Sequence, residues 1–223
     1  MNFETPNSAQ VQTMLDLQHK LNTIVDAEWI VKKFPYLRAA FVESAEALDH
    51  YGWKWWKQQT PNIPQVQIEI SDILHFYLSD ILLSANGDIT TAQAIMLKEC
   101  QKTTETVIVG QNSYKLAETD TPTLFELLAA TSILRQRSLP VFQELMQRND
   151  LDWSSLYAAY ISKNILNIFR QNNGYKEGTY IKTWDGLEDN EHLHEIMSKL
   201  DSSAKNFSQL IFNALTEKYS KIK

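Results

Sequence analysis

Two pairs of acids constrain this chain more than any other feature: Glu43 with Glu46, and Glu69 with Asp72. Each pair is spaced i, i+3, which on an α-helix puts both side chains on one face, about 60° apart around the axis. Both pairs sit in apolar stretches, and Ile68, Ile70, Ile73 and Leu74 surround the second. A single pair reads as solvated helix surface. Two pairs on consecutive helices, on faces that also read as core, do not. Four carboxylates turned inward repel one another and lose their charge unless something compensates. The pattern therefore predicts two neighbouring helices enclosing a water-filled pocket that holds hard divalent cations. Oxygen-only ligands favour Mg²⁺, with Mn²⁺ as a substitute, over zinc. A di-iron carboxylate bundle is the rival, and it wants Glu-x-x-His on each of two helices. Here His75 would have to pair with Asp72, and the first pair has only His50, four residues beyond Glu46.

The rest of the chain has the same helical character. Six glycines and six prolines are few for 223 residues, and no clear period-2 strand is present. Helices are expected over Val11–Val25, from Trp29 (with Asp26 as cap) until Pro35 interrupts, and over Leu37–Tyr51, ending at Gly52. Others are expected over Val66–Ser84, stopping near Asn86-Gly87, and over Thr90–Cys100. Further helices are expected from Thr121-Pro122, from Pro140, over Trp153–Gln171, and over Glu191–Tyr219 as one closing helix. Thr103–Ala117 stays open, with Val107-Ile108-Val109 as a short strand or continuing helix. The prediction is a single all-α domain over residues 1–223, a multi-helix bundle with a carboxylate-lined metal site between helices.

Composition limits the function classes. With 43% hydrophobic residues the chain can bury a sizeable core. A net charge of −6 argues against broad nucleic-acid binding. The apolar run Ile73–Leu83 is broken by His75 and Asp80 and is too short and polar to span a bilayer. Met1 to Pro6 includes an acid and opens no basic-plus-apolar stretch, so no secretory signal is expected. One cysteine, Cys100, excludes an internal disulfide and points to a reducing compartment, so a cytoplasmic location is expected.

Other residues add to the acids. Trp53-Lys54-Trp55-Trp56-Lys57 offers an aromatic wall beside two cations, suited to a nucleobase or a sugar with phosphate. Gln18 and Asn22 are spaced i, i+4. If they face a pocket, their amides can donate and accept at once, as a pyrimidine edge requires. The stretch Gly174–Asn190 carries three glycines with Lys176 and Lys182, a composition for a loop whose backbone approaches phosphate oxygens. It is not a P-loop, because Gly-x-x-x-x-Gly-Lys-Ser/Thr is missing.

Taken together, these motifs resemble the dimeric, all-α dUTPase family, within the wider all-α NTP pyrophosphatases. The resemblance rests on Glu43-x-x-Glu46, Trp53 to Lys57, and Glu69-x-x-Asp72-x-x-His75-Phe76. It also rests on Lys163-Asn164-x-Leu166-Asn167-x-Phe169-Arg170-Gln171 and on Gly174 through Asn190, with Gln18 and Asn22 on the first helix. The match covers roughly the first 86 residues and residues 153 to 190. Residues 88–150 carry no motif and could be a mobile cap or a dimer contact.

The resemblance implies a dUTP diphosphatase that releases dUMP and pyrophosphate, acts also on dUDP, and forms a homodimer. It implies that Glu43, Glu46, Glu69 and Asp72 ligate Mg²⁺, with Glu43 or Glu46 activating the attacking water. Arg170, Lys176 and Lys182 would balance phosphate charge, and Asn164 and Asn190 would complete contacts to sugar and phosphates. Gln18 and Asn22 would read the uracil edge, with His75 beside them and Phe76 and Trp55 or Trp56 against base or sugar. The alternatives are an all-α NTP pyrophosphatase preferring another nucleotide such as dCTP, and a non-catalytic helical binding protein.

Overall fold

Asn7 opens the first helix. Its side chain accepts from the Gln10 N–H at 2.9 Å while Gln10 Oε1 accepts from the Asn7 N–H at 3.0 Å, a reciprocal cap. Helix α1 (Ser8–Val25) buries Val11, Met14, Leu15, Gln18, Leu21 and Asn22. The core-facing stripe of this helix therefore carries both amides. The computed structural model describes residues 4–102, 104–200 and 206–222. It continues through α2 (Trp29–Lys32), α3 (Tyr36–Tyr51), α4 (Ile63–Ser84), α5 (Ile89–Cys100), α6 (Thr121–Ile133), α7 (Leu139–Arg148) and α8 (Trp153–Asn172), and then α9 (Asp189–Met197) and α10 (Phe207–Ser220). The all-α prediction is right, with two short strand pairs as the only sheet among the described residues.

Helix α4 is the axis of the bundle. It is capped by Asn62, has Pro64 in its first turn, and buries residues from Val66 to Leu82 on more than one face. Helices α1, α3, α5, α7 and α8 all pack on it, and α3 also packs on α6. Asp80 on α4 and Glu99 on α5 share Arg137, which lies 2.7 Å from Glu99 and ties the two helices together. No helix among the described residues is long and apolar enough to cross a membrane.

Four sequence expectations need correction or completion. Asp26 does not cap α2. It ends α1, accepts from the Glu28 N–H at 2.8 Å and pairs with Lys32 at 2.6 Å. The open stretch after α5 forms a hairpin, β1 (Thr106–Val109) against β2 (Asn112–Lys115), with Val109 opposite Asn112; residue 103 lies outside the described residues. The strand alternative wins because Gly110, at φ 63°, supplies the left-handed turn residue. The single closing helix is two helices. Helix α9 ends at Met197, α10 starts at Phe207, and α10 packs on both α9 and α8. One straight helix cannot lie against itself, so burying Phe207, Ile211, Leu215 and Tyr219 requires a break. Residues 201–205 of the expected helix lie outside the described residues.

The fourth concerns Gly174–Asn190. Gly174, at φ 90°, turns the chain out of α8; a Cβ there would lie 2.0 Å from Thr179 Oγ1. A two-residue hairpin follows, β3 (Thr183–Trp184) with β4 (Leu187–Glu188). Trp184 is fully buried among Phe169, Tyr180, His192 and Tyr219. This stretch is thus half a small aromatic core rather than a wholly open loop.

Candidate active site

Helix α3 presents Glu43 and α4 presents Glu69 and Asp72 to one another, with carboxylate oxygens all within 4.8 Å. Burial, then the neighbouring Asp72 and Glu69, pushes the Glu43 carboxyl up to about 8. Burial and Asp72 push Glu69 up to about 7. Asp72 is also raised, by burial, although Lys163 lies 3.0 Å away and opposes the shift. His50 Nε2 stands 3.5 Å from Glu69, so this histidine serves the second acidic pair rather than the first. Glu46 is exposed and outside the close cluster. Three acids held this close with one lysine among them make a site short of positive charge. The donors are all carboxylate oxygens and include no histidine, which suits a hard divalent cation and not a di-iron pattern.

Glu43 and Asp72 open onto a cavity of about 540 Å³ between α1, α3, α4 and α8. Its lining brings together Gln18, Asn22, Glu43, Asp72, His75, Phe76 and Arg170, all expected from sequence, and adds Ser79, Lys163, Asn167 and Tyr175. The inner end is a hydrogen-bonded network. Gln18 Nε2 donates to Asn22 Oδ1 at 3.0 Å, and Asn22 Nδ2 donates to Ser79 Oγ at 3.2 Å. Gln18 Oε1 lies 2.9 Å from His75 Nδ1 and accepts from the Tyr160 hydroxyl at 2.9 Å. A carbonyl oxygen can only accept, so His75 Nδ1 carries the proton of that contact. Burial pushes the His75 imidazole down to about 3, so the ring is neutral. His75 Nε2 is then a bare acceptor, buried and without a hydrogen-bond partner, and Asn164 Oδ1 is a second.

Other expected residues lie elsewhere. Arg170 reaches the cavity but is clamped through Nε and Nη2, each 2.8 Å from Asp189, which is fully buried and also accepts from Tyr180. Burial works to lower the Arg170 pKa, but its hydrogen bonds to Asp189 hold it above the ordinary value. Lys176 donates to the Val25 carbonyl at 2.8 Å on the rim, and Lys182 pairs with Glu188 at 2.8 Å. Asn190 accepts from Arg170 at 3.4 Å and lines a second cavity of about 400 Å³ behind Lys163. Trp55 and Trp56 are 87% and 59% exposed, packed edge-to-face on each other, and do not line the main cavity. Asn164 is fully buried behind the cavity wall and donates to the Tyr160 hydroxyl at 3.2 Å.

Sequence reasoning missed the roles of Tyr160, Ser79 and Asp189. Ser79 sits seven positions after Asp72 on α4, and Tyr160 four before Asn164 on α8, so helical spacing alone places each on the face of an expected residue.

No curated protein matches the chain. A family model described as dUTPase matches residues 10–175, well over half the chain. The match takes in both acidic pairs, the amide-bearing face of α1 and all of α8, the elements that build the cavity. The chain belongs to the all-α dUTPase family and is an enzyme of dUTP hydrolysis.

Proposed function

We propose that this protein is an Mg²⁺-dependent diphosphatase that converts dUTP, and also dUDP, to dUMP. The observation that carries the metal dependence is the cluster of Glu43, Glu69 and Asp72, negative beyond what Lys163 offsets. These three would hold the ions, with Glu46 joining from the exposed side of α3. Mg²⁺ held there would supply counter-charge for the phosphate chain and lower the pKa of a water. Glu43 or Glu46 would orient the attacking water and take its proton. Phosphoryl transfer asks mainly for positioning and charge neutralisation. Lys163 and Arg170 stand at the cavity for that purpose, and Lys176 and Lys182 would join once substrate draws them from their present partners.

The inner end supports a uracil reading. The N3–H of uracil donates, so it suits the bare His75 Nε2. Cytosine offers an acceptor at that position and would leave two acceptors facing each other. Gln18 and Asn22 read the remaining edge, and Phe76 packs against base or sugar. Asn164 and Asn190 complete polar contacts, and Trp55 or Trp56 closes on the nucleotide from outside. A methyl group at C5 is refused by space alone, worth about 1–3 kcal/mol. In this reading the protein works as a homodimer, supported by the exposed apolar side chains Ile108, Ile133 and Leu134 within residues 88–150.

The test is a nucleotide panel of dUTP, dUDP, dCTP, dTTP and UTP with Mg²⁺, run alongside Glu46→Gln. Cleavage confined to dUTP and dUDP, with a dead variant, is expected. Comparable cleavage of dCTP would leave the metal site standing and remove the uracil assignment. Sedimentation of the full chain tests the dimer.

A further inference from the structure

We infer that Tyr160 is a positioning residue for base recognition: it holds the Gln18 amide, and through it the His75 ring, in the orientation that leaves Nε2 of this cavity-lining imidazole a buried, unpaired acceptor. The inference rests on the reading of this end of the cavity as the uracil site. Tyr160 is fully buried and does not itself line the cavity. Its hydroxyl lies 2.9 Å from Gln18 Oε1 and 2.9 Å from the Met14 carbonyl, and it accepts from Asn164 Nδ2 at 3.2 Å. Its ring stacks on His75, with centroids 4.2 Å apart and planes 29° from parallel. One side chain thus touches both base-reading residues.

A glutamine amide has two orientations of nearly the same shape and opposite chemistry. With Oε1 toward His75, Nδ1 carries the ring proton and Nε2 accepts, which suits uracil N3–H. With the amide NH₂ toward His75, Nδ1 accepts and Nε2 carries the proton, which suits cytosine N3. The Tyr160 hydroxyl has one proton and two acceptors at 2.9 Å; the Met14 carbonyl lies inside α1 and already accepts a helical N–H, so the proton serves Gln18 Oε1, which Asn164 Nδ2 also approaches at 3.5 Å. Both favour the first orientation. Tyr160 therefore biases the choice between the two pyrimidines without touching either.

The test combines ¹⁵N NMR of histidine-labelled protein, with the His75 signals assigned by their loss in His75→Asn, and kinetics of Tyr160→Phe, which keeps the stacked ring and removes the hydroxyl. In the wild type His75 is expected as the Nδ1–H tautomer, and in the variant as a mixture. The ratio of kcat/KM for dUTP over dCTP is expected to fall about tenfold, the size of one lost hydrogen bond. The fall should lie in KM for dUTP, with kcat within about twofold, because the carboxylates are untouched. A merely destabilised protein would lose kcat for both nucleotides alike. A wild-type Nε2–H tautomer overturns the inference with no variant needed. A variant that keeps the wild-type ratio overturns the role of Tyr160 while leaving the uracil reading in place. A tautomer change in the variant, with a wild type that does not distinguish dUTP from dCTP, overturns the uracil reading instead.

Discussion

The two ends of the cavity are built on opposite principles. At the outer end Glu43, Glu69 and Asp72 crowd together; burial raises all three, and repulsion from neighbouring carboxylates adds to it at Glu43 and Glu69. At the inner end Gln18, Asn22, Ser79, His75 and Tyr160 satisfy one another in a neutral network with two acceptors left over. The first end is unstable until something positive arrives. The second is stable as it stands. In the proposed function, affinity for a charged ligand would come from stored repulsion, and specificity from fixed hydrogen-bond direction and the acceptors left unpaired.

The largest test of this contrast is Glu69→Gln. It should cut kcat/KM for dUTP by about a thousandfold or more, a magnitude typical of losing transition-state electrostatics. Yet it should raise the metal-free melting temperature, because a repelling charge is gone. A metal-free melting temperature that drops would show that the cluster is not frustrated. Next in size, the two ends titrate with opposite sign. Burial holds His75 near 3 against an ordinary 6.5. Its contribution is complete above pH 6.5 and is lost as pH falls through 6.5 toward 3, on the order of 4–5 kcal/mol at the limit. Glu43, raised to about 8 from 4.5, runs the other way: its penalty is complete above pH 8 and fades as pH falls toward 4.5. Urea midpoints of metal-free protein between pH 4 and 8 should therefore show His75→Gln flattening the acid limb only.

Mg²⁺ at about a hundred times its dissociation constant should raise the melting temperature of wild type by roughly 5–10 °C. Glu69→Gln should respond far less, and EDTA should reverse the shift. An equal response in the variant would move the ion elsewhere. The smallest effect concerns the exposed indoles. Trp55→Ala should leave stability within about 0.5 kcal/mol and raise KM for dUTP a fewfold. Unchanged kinetics would remove the aromatic segment from the nucleotide site.

Tryptophans show how far sequence reaches. Trp55 and Trp56 sit in a segment read as ligand-facing and are exposed; Trp184 sits in a stretch read as a phosphate loop and is fully buried. Each has a polar or charged residue beside it in sequence, so a charged neighbour does not separate them. What separates them is whether Phe169 of α8 and Tyr219 of α10 arrive, beside the local Tyr180, to cover the ring. The same holds at the chain's end. The apolar spacing through α9 and α10 is helical throughout, and only the need to fold α10 back onto α8 splits it.

The helices, and the facing of Glu43 on one toward Glu69 and Asp72 on the next, follow from periodicity and side-chain chemistry within a few residues. Such information is local, so the chain's own order carries it. The partners of the acids and amides are not local. Lys163 meets Asp72 and Tyr160 meets Gln18 only after α1, α4 and α8 pack around one cavity, and Asp189 claims Arg170 only once α9 packs on α8. Which side chain neutralises a charge, and which way an amide points, depends on atoms far apart in sequence, and those atoms come together only through packing.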